Sequence, residues 1–173
     1  ELIKDIESFY HNDQSNLTGS IRRTEYRRNS ERLLGWFIEI FDRLAVQLPE
    51  TAKAFASPWS INDPYHFREL KLRAFSKPNL FKTTFVAAEL LGLELHSFWD
   101  RETRAELLDV LVKRWSEFSA ENQTAIMSRI FTGPTHMDYG MSDDSNFRDR
   151  TVAGYVRYLQ LKGCKLSADQ SNQ

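Results

Sequence analysis

Of 173 residues only one is cysteine, Cys164, so no internal disulfide can form. No Cys/His spacing resembles a zinc site, and the chain is expected in a reducing compartment, the cytoplasm. Glycine and proline are scarce, at 7 and 5, which argues against a many-stranded sheet and for helices joined by short turns. Charge of one sign is missing as well. Lys plus Arg number 23 against 24 for Asp plus Glu, a net charge of -1, so any pull toward nucleic acid or anionic membrane must come from a local patch. No run is long and apolar enough to cross a bilayer, and Glu1 to Glu7 alternate in charge where a signal peptide would carry an apolar stretch. No membrane partner is expected. There is no Gly-rich phosphate loop, nucleophile elbow, HExxH helix or dinucleotide fingerprint. No cofactor, metal site or catalytic residue is therefore expected, although carboxylates assembled by the fold would leave no trace in one sequence.

What is present is 41% hydrophobic residues, including 13% aromatics, enough to bury one sizeable core in a single domain over 1–173. The chain begins at Glu1 without an initiator Met and closes on a polar tail, 165–173, which suggests a piece of a larger protein.

A repeat organises the middle of the chain. Ser57-Pro58-Trp59, Phe75-Ser76 and Gly92 are echoed by Ser97-Phe98-Trp99, Phe118-Ser119 and Gly133. The offset is that of two-helix repeats, with candidate units 57–92 and 97–133. It drifts between the Trp pair and the Phe pair, and two unrelated helix pairs are the competing interpretation. The fold expected is all-α, an irregular, solenoid-like (HEAT-like) stack of helical hairpins without a sheet.

Local periodicity supports this. Leu2, Ile3, Ile6 and Phe9 space as a short amphipathic helix ahead of a polar His11 to Ser20 linker. Leu33, Phe37, Ile40, Phe41, Leu44 and Leu48 form one apolar stripe that Leu34, Trp36 and Ile38 widen, with Glu39, Asp42, Arg43 and Gln47 opposite. A helix so broadly apolar should pack on two neighbours, and Pro49 ends it. Asp63-Pro64 reads as cap and first turn of a helix burying Phe67, Leu70 and Ala74. Pro78 is expected to open its partner, with Phe81, Thr84, Phe85, Ala88 and Leu91 on one side and Gly92 as stop. Asp100 is expected to cap a helix carrying Leu108, Leu111, Trp115 and Phe118. Ser119 should cap the next, with Ile126, Met127, Ile130 and Phe131, ending at Gly133-Pro134. The last helix uses Val152, Tyr155, Val156 and Leu159 and stops at Gly163.

Two constellations are candidate partner-contact sites. The first is the basic run Arg22, Arg23, Arg27, Arg28 and Arg32. Its i,i+4 pairs make a patch suited to phosphates or to an acidic protein surface, against the plainer possibility of a solvated helix face compensated by Glu25 and Glu31. The second is the loop Gly133 to Ser145 with His136, Asp138 and Tyr139, whose spacing fits no calcium or zinc pattern and equally suits an exposed connection. His11, His66 and His96 are scattered and read as packing or capping residues, and Cys164 as a tolerated thiol.

Ser97-Phe98-Trp99-Asp100-Arg101 through Leu107-Leu108 and Trp115, then Ile126 to Arg129-Ile130 and Gly133-Pro134, resembles helical regions toward the C-terminus of large bacterial multidomain proteins, including sirtuin-like proteins of antiphage defence. The resemblance implies a non-catalytic scaffold, sensing or protein-interaction region attached to an effector domain, its partner being another protein or the rest of its own polypeptide. No dinucleotide-binding glycines accompany it, so no catalytic residue carries over. The alternatives are a nucleic-acid-binding helical domain using Arg22 to Arg32, and an enzyme with a fold-assembled site.

Overall fold

A computed structural model describes residues 20–63, 66–134 and 145–166; for 20–32, His66 and Ser145 the description is of the backbone. Eight α-helices make up the described residues, with no strand among them: α1 Ser20–Gln47, α2 Pro49–Ala56, α3 His66–Phe75, α4 Thr83–Gly92, α5 Leu95–Phe98, α6 Arg104–Arg114, α7 Ala120–Thr132 and α8 Ser145–Leu161, with a 3-10 turn Trp115–Glu117 after α6. The fold is all-α, as composition and periodicity imply.

Packing follows chain order. α1 lies on α2 and α2 on α3; α3 then pairs with α6, α4 with α7, and α8 closes against both α6 and α7. First helix thus meets first helix and second meets second across two hairpins. Leu70, Phe75, Leu90, Phe98, Leu111, Ile126 and Ile130 fill the space between them and are fully buried, each worth about 1.5–3 kcal/mol of removal from water.

The helix ends have local causes. Ser119 accepts the Asn122 N–H on its Oγ at 3.2 Å, capping α7 as its spacing predicts. Gly133 follows α7 at φ +71, where a Cβ would stand 2.5 Å from the Arg148 Cγ, so the close approach of α8 and the left-handed backbone both require glycine. At the end of α8, Gly163 (φ +84) donates to the Gln160 carbonyl and Cys164 to the Leu159 carbonyl, both at 3.0 Å. That pair of bonds is a Schellman close. It draws Cys164 into the core, where burial pushes the thiol up and leaves it a small hydrophobe.

Four sequence expectations are corrected. α4 starts at Thr83, not Pro78, because Leu80 and Phe81 are both buried and the chain must turn before the helix to place them. Its buried face is Val86, Ala87 and Leu90, while Thr84, Phe85 and Ala88 are exposed. Gly92 is the last residue of α4 and has no positive φ; the chain leaves through the extended Leu93. Thr103, not Asp100, precedes α6, because Asp100 is engaged elsewhere: Oδ1 accepts the Glu102 N–H and Oδ2 accepts from Arg68. Pro64, the second half of the expected Asp63-Pro64 cap, and the helix over Leu2 to Phe9 lie outside the described residues.

The two tryptophans of the repeat are both buried but hold different neighbours. Trp59 meets Phe37 of α1 edge-on and Phe41 at a tilt, with ring centroids 6.0 and 5.1 Å away, and Trp99 meets Tyr155 of α8 at 4.6 Å. The drift in offset also has a location. Phe75 ends α3, whereas Phe118 is reached only after the added 3-10 turn that follows α6.

Candidate partner-contact surface

Any surface this chain presents depends on how firmly its helices are locked, and buried cations do much of that locking. Arg68 of α3 donates to the Asp100 carboxylate at 2.8 Å, the Ser97 Oγ at 2.9 Å and the Ile61 carbonyl at 3.0 Å. Arg114, at the end of α6, donates to the Phe81 carbonyl at 3.0 Å, the Lys77 carbonyl at 3.3 Å and the Thr83 Oγ1 at 2.7 Å. Its Nε stands 2.9 Å from Glu117 as an ion pair. Arg129 of α7 donates to the Leu91 and Leu93 carbonyls at the end of α4. Two guanidinium forks, Arg114 and Arg129, therefore satisfy carbonyls of the opposite hairpin that would otherwise be without partners, and Arg68 ties the Ile61 carbonyl to side chains of the second hairpin.

Lys71 does the same for α2. Its Nζ donates to the Ala56 and Ser57 carbonyls at 2.9 and 3.2 Å, where α2 ends, and lies 4.7 Å from the centre of the Phe81 ring and 5.4 Å from that of Phe75. Burial pushes its ammonium down, against the charge of Glu89, and the carbonyls and ring faces offset part of that cost.

α1 is fixed to this frame by Trp59 and by an ion cluster. Asp42 receives Arg73 at 2.6 Å and Lys77 at 3.0 Å. Burial works to raise its carboxyl, and the hydrogen bonds and charges of Arg73 and Lys77 outweigh it, so the group titrates below the ordinary 3.8. The stabilisation is then fully present above pH 3.8 and is lost as pH falls through the lower folded-state value. Asp42→Asn should cost about 1 kcal/mol at neutral pH. In urea melts taken at descending pH, the gap between the variant and the parent should close; a constant gap would show the pair to be idle.

This anchoring corrects the expected phase of α1. Phe41 and Ala45 are buried and Phe37 is half-buried, but Leu33, Trp36 and Ile40 are 48, 57 and 64% exposed. Asp42, expected on the water side, points instead into Arg73 and Lys77. The exposed apolar residues recur at i, i+3 and i+7, one side of the helix. Trp36 and Ile40 stand four residues apart and so occupy one ridge of α1.

Of the sequence candidates, Arg22, Arg23, Arg27, Arg28 and Arg32 all fall within α1, on its first turns. The backbone thus supplies the continuous helix on which their i,i+4 spacing was argued. His136, Asp138 and Tyr139 lie outside the described residues. Sequence reasoning missed the exposure of Leu33, Trp36 and Ile40, since periodicity shows that a stripe exists without showing which part of it is covered. It also missed Arg68, Lys71 and Arg114, for which no local signal exists.

Among the described residues no cluster of three or more His, Cys, Asp or Glu side chains is placed to hold a metal ion, and no helix is long and apolar enough to cross a membrane. His96 is exposed, 3.3 Å from Glu94. The arrangement defines an all-α frame of two cross-paired hairpins flanked by a long surface helix. No protein-family model, curated protein or solved structure matches the chain.

Proposed function

We propose that this chain is a non-catalytic, solenoid-like helical scaffold that contacts a protein partner through α1, as part of a larger cytoplasmic bacterial protein of the defence-related kind its sequence resembles. The observation that carries this is the Leu33, Trp36 and Ile40 side of α1, exposed on the same helix as five arginines. Adjacent large apolar side chains in water mark contact surfaces rather than solvated faces, and Trp and Arg are the residues on which interface energy concentrates. Aliphatic Leu33 and Ile40 flanking Trp36 favour a protein over a nucleic acid, whose affinity would come from phosphate contacts. The residues that carry the family resemblance also support a scaffold: Phe98, Trp99, Leu107, Leu108, Trp115, Ile126 and Ile130 are all core.

The test is site-specific photo-crosslinking in the host cell. A photoreactive residue at position 33 or 40 should give discrete protein adducts, and one at the exposed Lys113 of α6 should not. Reversing Arg23, Arg27 and Arg28 to Glu should weaken those adducts. Nucleic-acid adducts at 33 and 40, with a steep loss on raising salt, would replace this assignment with the nucleic-acid alternative, and equal yields at 33, 40 and 113 would remove it.

A further inference from the structure

We infer that α1 pairs with the α1 of a second copy of this chain, antiparallel about a twofold axis beside Ile40. This rests on α1 being the contact surface and names the protein that covers it. The side of α1 turned away from the buried Phe41 and Ala45 carries Glu39, Ile40, Arg43 and Val46, all of them exposed, Ile40 at 64% and Val46 at 80%. Positions 36, 39, 43 and 46 recur at i, i+3, i+7 and i+10, the spacing at which two helices pack side by side. Glu39 and Arg43 stay in water, whereas Asp42 between them turns inward to Arg73 and Lys77.

The order of chemistry along this side selects a second copy over a foreign protein. About its centre the surface is symmetric in apolar residues and opposite in charge. Leu33 and Trp36 precede the acid Glu39, and the base Arg43 precedes the exposed Val46 and Leu48. Turned end for end, the surface therefore matches itself. Glu39 of one copy falls opposite Arg43 of the other and the same contact recurs across the axis, while Ile40 meets its own counterpart near the axis and Val46 lies on the turn Leu33 to Trp36. An isologous interface requires this self-complementarity, and a foreign partner does not. From 33 to 47 the seam runs about 21 Å along the helix, so the dimer belongs to the small, weak class of interfaces and exchanges in solution.

Sedimentation equilibrium of the purified full chain tests this and should show a weak monomer–dimer equilibrium. Glu39→Arg alone brings two cations together at each of the two charge contacts, and Arg43→Glu alone brings two carboxylates together. Each single variant should therefore dimerise about tenfold more weakly, since two exposed pairs change from attraction to repulsion. The double variant Glu39→Arg/Arg43→Glu has the parent's net charge and opposite charges at both contacts, so it should recover the parent affinity. Both positions are exposed, and the urea midpoints of all three variants should stay near the parent value. A chain that remains monomeric at every concentration, single variants that dimerise like the parent, or a double variant as weak as the singles, each overturns the inference. If that happens while positions 33 and 40 still capture a different protein in the host, the contact surface stands and only the second copy is lost.

Discussion

Arg114→Leu is expected to cost about 3–5 kcal/mol of folding free energy, because it removes a buried guanidinium that donates to two carbonyls between α3 and α4. The side chain is 1% exposed, so water cannot take over its role. Its loss strands the Lys77 and Phe81 carbonyls in the turn between α3 and α4, removes a donor from the Thr83 hydroxyl, and leaves the exposed Glu117 without its cation. Each buried acceptor left without a donor costs about 1–3 kcal/mol. Leucine fills some of the volume but can donate nothing. Arg114→Lys keeps the charge and loses the planar fork, so it should fall between the two, because one ammonium cannot reach both the Phe81 carbonyl and the Glu117 side. Urea denaturation gives the measure: the midpoint should drop with little change in slope if the native surface is otherwise intact. A loss under about 1 kcal/mol would mean that the turn relaxes to bond its own carbonyls, and that the hairpins are held by apolar packing alone.

Much of the frame was legible from sequence, for reasons that can be named. α6 and α7 were readable because Leu108, Leu111, Ile126 and Ile130 sit on clean helical spacings with charge opposite, and because Ser119 performs the hydrogen bond its position predicts. α4 was misphased because Thr83–Gly92 is apolar around nearly its whole circumference, so periodicity could not choose which side met α7. Asp100 and Asp42 were misplaced for a different reason. Both were assigned by local rules, one as a cap and one as a solvated face, and both are claimed in three dimensions by Arg68 and Arg73. A buried cation leaves no periodic mark, because its partners are backbone carbonyls that every sequence has. For the candidate surface, the basic run was readable as a cluster on a helix, and its apolar continuation was not. Leu33 and Ile40 look identical in sequence to the covered Phe41 beside them, and only the position of Trp59 decides between them.

Trp59→Ala should therefore act on α1 more than on the rest of the molecule. The indole meets both Phe37 and Phe41, and these contacts, with the Asp42 cluster, tie the second half of α1 to the frame. Truncating a buried tryptophan costs about 3–5 kcal/mol. Here most of that loss belongs to one seam, so it should appear as local opening rather than uniform destabilisation. Native-state hydrogen exchange should show the amides of residues 37–47 losing protection while α6 and α7 keep theirs, and Trp59→Phe should recover part of the difference by restoring a ring against Phe41. Trp99→Ala should give the reciprocal pattern, loosening α8 through Tyr155. Equal loss in every helix would show a single cooperative unit with no separable seam. The selective outcome matters for function because the exposed side of α1 and its buried side belong to one rigid rod. Once Trp59 no longer fixes the rotation of that rod, Leu33, Trp36 and Ile40 can turn inward to cover themselves. The surface would then be lost without any change to the residues that form it.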